Sequence, residues 1–209
     1  MWWDYLYVYF MGFVVIFLVF TLIIVIYEKQ IIGWFGEHWA KQELKKLPKD
    51  RYKILNDVLL KNGERMCQID HIVVSPYGIF VIETKQYNGR IYGGKYNKHW
   101  IRYGKRNQKI FLENPIRQNY GHCMMVKELL NLDDSSVYNI ACITSRNVRL
   151  RIRHDGEFTR NFTIIDRILS YTEPKLENYE QIFEFLNSQN IKDKAIRKAH
   201  IKNIRKNIV

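Results

Sequence analysis

Three charged residues lie within or at the end of an otherwise apolar stretch of the sequence, residues 68–85. Asp70 interrupts its first half, and Glu83 and Lys85 stand at its end. The two halves are rich in β-branched and aromatic residues and flank a Ser-Pro-Tyr-Gly sequence at 75–78, which predicts a β-hairpin. Because side chains alternate along a strand, Glu83 and Lys85 share one face. Two carboxylates and an ammonium group at a sheet edge predict a metal-dependent site.

The position of Asp70 relative to Glu83 depends on the register of this hairpin. If Ser75 pairs with Gly78 across a two-residue turn, Asp70 lies directly opposite Glu83, with the two Cβ atoms about 5 Å apart. Carboxylates that close repel each other unless a cation or a shared proton holds them. Gly78 could instead take a left-handed bulge position, which would shift the register by one residue. The first register is the one that supports a metal site.

Composition and charge indicate a folded domain with an anionic partner. The chain has 209 residues, of which 47% are hydrophobic, enough for one ordinary core. Its formal net charge of +12 favours nucleic acid or an acidic membrane surface as a partner. The three cysteines are scattered and include no C-x-x-C pair. This pattern argues against a disulfide scaffold or a cysteine zinc site and fits a reducing compartment.

The amino terminus predicts a single-pass membrane anchor, residues 1–29. Residues 5–27 form 23 consecutive uncharged positions, long enough to cross a hydrocarbon core of about 30 Å. A cleaved signal peptide is the alternative, but the basic start and the small-residue cleavage site typical of one are missing. Asp4 precedes the span, whereas Lys29 and Lys41 follow it. The positive-inside rule then predicts a cytoplasmic carboxy-terminal domain on a cell membrane, which we expect to be bacterial.

Two further polar residues lie on predicted helices. Residues 33–47 predict an amphipathic helix ended by Pro48, with Glu37 in its first turn. The Asn-Pro sequence at 114–115 predicts a second helix that runs to about residue 130, with Gln118 one turn in. Taken alone, Glu37 and Gln118 are typical of helix surfaces. The other predicted elements are strands at 51–60, 137–144 and 162–165 and a helix at 176–186.

Two basic segments could contact phosphates. Residues 87–109 predict irregular strands or loops in which Tyr and Trp alternate with cations, a combination suited to phosphate contacts and base stacking. The residues concerned are Lys95, Lys98, Arg102, Lys105, Arg106 and Lys109, with Tyr92, Tyr96, Trp100 and Tyr103. A plain solvated hairpin is the alternative. The basic tail at 191–209 could bind nucleic acid or anionic lipid, or could be a frayed end.

Several of these segments together resemble the nuclease-related domain (NERD) family, which is similar to the PD-(D/E)XK nucleases. The matching pieces are Gly36-Glu37, residues 68–75, residues 78–85, Trp100 and the Asn-Pro-Ile-Arg-Gln sequence at 114–118. A D…E-x-K triplet is common by chance, whereas the long hairpin with the downstream Asn-Pro-x-x-Gln is specific. The chain has Ile69 before Asp70 in place of the proline in the superfamily's name, but it keeps the carboxylate.

The resemblance implies an α/β fold, in which a nuclease-like mixed sheet is flanked by helices. It implies that Asp70, Glu83 and Glu37 hold a metal ion, Mg²⁺ or Mn²⁺. Lys85 would stabilise charge or position the attacking water, and Gln118 would line the site. These implied roles change the interpretation of Glu37 and Gln118, which the residues alone do not single out.

The expected domain order is the anchor, a nuclease-like core at 30–148, an extension at 149–190 that packs on the core, and the basic tail. The expected function is metal-dependent hydrolysis of nucleic acid at the cytoplasmic membrane face, with DNA expected ahead of RNA. The alternative is a non-catalytic module that keeps the nuclease fold and tethers nucleic acid to the membrane.

Overall fold

The structure is a computed structural model that describes residues 2–133, 135–145, 148–153 and 158–207. It divides into two compact units, residues 1–35 and residues 36–209. The first helix, α1, covers Trp2–Leu44 and contributes to both units.

The first unit is the apolar part of α1. Within it, Tyr5–Glu28 is a stretch of 24 residues whose most apolar 18 residues have a mean hydropathy of 3.0 and are not buried in the protein. Length and composition therefore suit a membrane span, although a signal sequence near an amino terminus would meet the same test. The sequence predicted a separate amphipathic helix at 33–47. That prediction is wrong about the separation, because residues 33–44 are part of α1. No proline interrupts the helix before Pro48.

The second unit is built on a five-stranded mixed sheet with the strand order β1-β2-β3-β7-β9. The first three strands form an antiparallel meander, and the last two run parallel to β3. The strands are β1 (Lys53–Asn62), β2 (Arg65–Ser75), β3 (Gly78–Lys85), β7 (Val137–Ile143) and β9 (Phe158–Arg160). The predicted mixed sheet flanked by helices is confirmed.

Helices cover both faces of this sheet. Helices α2 (Pro115–Leu130) and α4 (Tyr179–Gln189) pack on one face, where Ile72 and Val81 meet Val126 and Leu186. On the other face Leu44 at the end of α1 and Ile164 at the start of α3 (Ile164–Leu169) meet Phe80. The last helix, α5, covers Lys194–Asn207.

Residues 89–113 form most of a second sheet rather than irregular loops. Its strand order is β6-β5-β4-β8, with β4 (Gly89–Gly94), β5 (His99–Tyr103), β6 (Lys109–Glu113) and β8 (Val148–Arg153). Trp100 on β5 is fully buried, and its Nε1 donates a hydrogen bond to the Gly94 carbonyl at 3.2 Å. A Cβ at Gly93 would lie 2.3 Å from the Trp100 ring, so only glycine leaves room for the indole. Trp100 therefore belongs to the core and is not available to stack on bases.

Two predicted elements after β7 need correction. The short strand predicted at 162–165 is wrong, because Asn161–Thr163 form a 3₁₀ turn that leads into α3. A short apolar run fits a buried strand and a buried helix equally well, which explains the error. The helix predicted at 176–186 begins later, at Tyr179, and ends at Gln189.

Candidate functional site

The hairpin has the register that brings the two acids level. Ser75 pairs with Gly78 and His71 pairs with Ile82, so the alternative bulged register is excluded. Continued by one residue beyond the His71–Ile82 pair, this register places Asp70 level with Glu83. The paired ladder ends at His71, and the acids occupy the point where the two strands separate.

Asp70 is absent from the paired ladders on both sides of β2. Toward β1 the pairs Asn56–His71 and Val58–Ile69 leave Asp57 level with Asp70. Asp57 has a φ of 52°, a left-handed conformation that is uncommon for any residue except glycine. The Asp70 carboxylate instead accepts two hydrogen bonds, from the backbone amide and the hydroxyl of Thr84, both at 2.7 Å. Its position is therefore set by the residue that follows Glu83.

Glu83, which is buried, contacts the partly buried Lys85 on the α2 face of the sheet. The Lys85 Nζ lies 2.7 Å from the Glu83 Oε1, and Glu83 is only 3% exposed. Burial and the neighbouring Asp70 charge outweigh Lys85 and raise the pKa of Glu83 to about 8. Burial disfavours the charge of Lys85, but the Glu83 carboxylate outweighs burial and raises the Lys85 pKa. Lys85 is therefore a fixed cation beside Glu83, an acid with a raised pKa.

Helix α2 adds His122 and Gln118 to this face. The His122 Nδ1 lies 3.5 Å from the Glu83 Oε2, without the geometry of a hydrogen bond. Burial lowers the His122 pKa, so this imidazole is neutral near pH 7. Gln118 precedes it by four residues and so lies on the same flank of the helix. Its Oε1 is buried and finds no hydrogen-bond donor among the described residues, as expected for an oxygen that could face a ligand.

Two asparagines fix α2 over the sheet. Asn114 caps the helix, with its Oδ1 accepting from the Ile116 amide at 3.0 Å, while its Nδ2 contacts the Lys95 carbonyl at 2.9 Å. Asn119 is fully buried, and its Nδ2 donates to the Val81 carbonyl on β3 at 2.7 Å. The helix is thereby held in register with the strand that carries Glu83. This explains why the polar Asn-Pro-x-x-Gln sequence lies over an apolar core.

Glu37 approaches the acids from the α1 side of the sheet. The helix comes close because residue 36 is glycine: a Cβ there would lie 2.7 Å from the Thr144 Oγ1. Although Glu37 is solvent-exposed as a residue, partial burial of its carboxyl and the charges of Asp70 and Asp57 raise its pKa to about 7. Glu37 is thus within electrostatic reach of Asp70 and Asp57, while its role as a site residue stays a prediction.

Sequence reasoning missed His122 and Asp57. The spacing of Gln118 and His122 on one helix flank was the available signal for His122. The sequence contains no signal for Asp57, because its position beside Asp70 depends on the register of β1 against β2. Its Oδ1 accepts a 2.7 Å hydrogen bond from Gln68 and also pairs with Arg197 of α5. Through Asp57, the positive charge of Arg197 is therefore held next to Asp70.

The chemistry of these side chains fits a divalent cation. Within the described parts of the chain, no three His, Cys, Asp or Glu side chains lie close enough to form a complete metal cage. Mg²⁺ does not require one, because it is commonly held by one or two carboxylates together with water and phosphate oxygens. Acids with raised pKa values and the unpartnered oxygen of Gln118 supply oxygen ligands of that kind.

Comparison with known proteins identifies the family. The sequence profile of the nuclease-related domain matches residues 32–145. The chain is also 33% identical over 178 residues to an uncharacterized protein of Bacillus anthracis, an alignment that covers 81% of this chain and 82% of the relative. No solved structure matches the chain. The matched residues include the α1 segment with Glu37, the acidic hairpin and the start of α2, and the chain belongs to the nuclease-related domain family.

Proposed function

We propose that this protein is a membrane-anchored, metal-dependent nuclease that hydrolyses phosphodiester bonds of DNA or RNA. The observation that carries the proposal is the arrangement at the open end of the hairpin. Asp70 and Glu83 are the residues directly beyond the last hairpin pair, His71–Ile82, and Lys85 contacts Glu83 at 2.7 Å. Membership of a nuclease-related family and a net charge of +12 support the same substrate class.

Asp70 and Glu83 are the residues that would hold Mg²⁺ or Mn²⁺ directly. Glu37, which does not form a three-ligand cluster with them, would reach the ion through a bound water. When bound, such an ion would polarise a phosphoryl group and lower the pKa of a bound water. Asp70 is already oriented for this role, because Thr84 fixes one of its oxygens with two hydrogen bonds. Glu83 and Glu37 must lose their protons to stabilise the ion, so binding should release protons and strengthen as pH rises.

The other side chains of the site would act on the substrate and the attacking water. Lys85 keeps its charge and would offset the negative charge that develops on the phosphoryl oxygens. The Gln118 Oε1 would accept a hydrogen bond from the attacking water and orient it. Neutral His122, 3.5 Å from Glu83, would take part in moving the proton that Glu83 gives up. No covalent nucleophile is required.

The anchor and the basic carboxy-terminal helix would determine where the enzyme works. Tyr5–Glu28 would span a cell membrane, and the lysines that follow it favour a cytoplasmic domain. Helix α5 exposes Lys194, Lys198 and Lys202, and Arg197 on the same helix pairs with Asp57 beside the acids. We expect α5 to contact the phosphates of nucleic acid that enters the site.

A cleavage assay tests the proposal. The full-length protein in detergent micelles is incubated with plasmid, single-stranded DNA and RNA, with Mg²⁺, Mn²⁺ or EDTA. Metal-dependent cleavage that Asp70→Ala abolishes and Asp166→Ala retains is the expected result, since Asp166 is an exposed acid on α3. Absence of cleavage with either metal, or equal cleavage by the Asp70 variant, contradicts the proposal.

A second candidate function is a non-catalytic module that tethers nucleic acid to the membrane. The raised pKa of Glu83, about 8, favours it, since a neutral Glu83 does not repel Asp70 and so needs no metal ion beside it. This candidate predicts salt-dependent nucleic-acid binding that persists in Glu83→Ala and Lys85→Ala variants, with no cleavage under any metal condition.

A further inference from the structure

A pocket lies on the flank of α2 that faces away from the acids. Its volume is about 360 Å³, and its lining is Lys95, Tyr96, Ile116, Arg117, Tyr120 and Asn139. Arg117 and Tyr120 are three residues apart and share one flank of the helix, whereas Gln118 and His122 lie on the other. The pocket is therefore separate from the candidate active site, with the width of one helix, about 10 Å, between them.

The lining combines positive charge with aromatic rings. Lys95 and Arg117 supply two cations, and no acid belongs to the lining that the structure describes. The rings of Tyr96 and Tyr120 are 81% and 58% exposed, although tyrosine usually buries most of its ring. The first turn of α2 adds the positive end of a helix dipole, which also favours an anion. Charge and exposed rings together select a ligand that is anionic at one end and planar at the other.

The pocket is held open by the same hydrogen bonds that position α2. The Asn139 Nδ2 donates to the Ile116 carbonyl at 2.8 Å, and the Asn139 Oδ1 accepts from Asn119 at 2.7 Å. The Asn114 side chain contacts the carbonyls of Lys95 and Asn97 at 2.9 Å and 2.7 Å, which fixes the β4–β5 loop over the helix start. The walls are therefore preformed, as in most small-ligand sites.

We propose that this pocket binds one unpaired nucleotide of a nucleic-acid strand, with its base against Tyr120 and its phosphate between Lys95 and Arg117. Stacking on a tyrosine ring requires an unpaired base, so the pocket selects single-stranded or locally melted nucleic acid over intact duplex. The inference rests on the proposed function for the identity of the polymer, but binding in this pocket does not require Asp70 or Glu83. The pocket would hold a strand a few nucleotides away from the bond at Glu83.

Fluorescence anisotropy tests the pocket independently of cleavage. The full-length protein in detergent micelles is titrated in EDTA against a labelled oligothymidylate, an abasic strand of the same length and a duplex. We expect the oligothymidylate to bind most tightly. Tyr120→Leu should weaken its binding on the order of tenfold, whereas Tyr120→Phe, which keeps the ring, should not.

Charge variants separate phosphate contacts from stacking. Arg117→Gln should weaken the oligothymidylate and the abasic strand alike and reduce the salt dependence by the equivalent of about one phosphate contact. Lys61→Gln, which removes an exposed cation at the end of β1, should change neither and serves as the matched control. Equal binding of the abasic strand, tighter binding of duplex, or equal affinity of Tyr120→Leu and Tyr120→Phe would each overturn the inference. Because EDTA prevents metal-dependent cleavage, a failed nuclease assay leaves this result standing, and the converse also holds.

Discussion

The Asp70 carboxylate is bound by Thr84, the residue between Glu83 and Lys85. Both the amide and the hydroxyl of Thr84 donate to the same Asp70 oxygen at 2.7 Å. Asp70 on one strand is thus tied to the strand that carries the other two charged groups. The three side chains form one unit where the hairpin opens.

Removing the Thr84 hydroxyl should loosen Asp70. Thr84→Val keeps the shape of the side chain but deletes one hydrogen bond to a charged acceptor, so we expect a loss of about 1–3 kcal/mol in the free energy of unfolding. Metal affinity should also fall, because Asp70 loses part of its orientation. Differential scanning fluorimetry with and without Mn²⁺ measures both. Thr159→Val is the matched control, since this buried threonine on β9 also makes hydrogen bonds and should lose stability without losing metal affinity. Equal metal affinity of the Thr84 variant and the native protein would count against the role of this contact.

The free energy of unfolding should depend on pH because Glu83 binds a proton more tightly in the folded state. Its pKa is about 8 in the folded protein and near 4.5 in the unfolded chain, so the native state binds more protons between these values. Stability therefore falls as pH rises from about 5 to about 8, the reverse of the behaviour of an acid whose pKa is depressed on folding. Glu37, with a pKa of about 7, contributes in the same direction.

Glu83→Gln isolates this contribution. The difference in melting temperature between the native protein and Glu83→Gln, measured in EDTA, should move in favour of the variant as pH increases from 5 to 8. Mn²⁺ should raise the melting temperature of the native protein most at the upper end of that range, where the acids are deprotonated. A pH-independent difference would show that Glu83 does not hold its proton in the folded state.

Replacing Lys85 should lower the rate of cleavage more than it lowers the stability of the fold. Lys85→Met removes the cation 2.7 Å from Glu83, and Glu83 can respond by remaining protonated, so the loss of stability should be modest. Cleavage should fall roughly 10²–10³-fold, the usual cost of removing one group that stabilises charge in a transition state. Lys85→Arg keeps the charge and should recover part of the rate. Single-turnover cleavage rates at saturating Mg²⁺ make the comparison, and a Lys85→Met rate close to the native rate would remove Lys85 from the mechanism.

Arg197 should hold α5 against the domain. Its guanidinium pairs with Asp57 and donates to the Ile191 carbonyl at 2.9 Å, so Arg197→Gln should release the helix. Because the pair is partly exposed, we expect only about 1 kcal/mol of stability to be lost. Hydrogen exchange in residues 194–207 should nevertheless speed up. Lys202→Gln removes the same charge from an exposed position and should leave exchange unchanged; if both variants behave alike, the Asp57 contact does not anchor the helix.

The sequence predicted the parts of the site that local rules determine. A two-residue Pro-Tyr turn sets the register of the hairpin, and the Asn-Pro sequence begins α2 at the predicted residue, Pro115. Glu37 and Gln118 needed the family resemblance, because neither position differs locally from an ordinary helix surface. Their helices are held by close packing, at Gly36 for the helix of Glu37 and at Asn119 for the helix of Gln118.

The features that the sequence did not predict depend on contacts between distant residues. Trp100 stands in a basic, tyrosine-rich segment, and only its packing against Gly93 shows that it is buried. The second sheet escaped prediction because its short, glycine-rich strands lack a clear alternation of polar and apolar residues. Asp57 and Arg197 are 140 positions apart, and nothing in the local sequence of either indicates their contact.

The most direct test of the metal-dependent site follows metal binding and cleavage in one titration. Mn²⁺ is added to the full-length protein in micelles with single-stranded DNA, and bound Mn²⁺ is followed by electron paramagnetic resonance while product is quantified. We predict that bound metal and cleavage rate rise together with the same midpoint, and that Asp70→Asn abolishes both while Asp166→Asn changes neither. Mn²⁺ that binds as tightly without the Asp70 carboxylate, or a site that fills without any cleavage, would contradict the assignment of a metal-dependent nuclease centre to this hairpin.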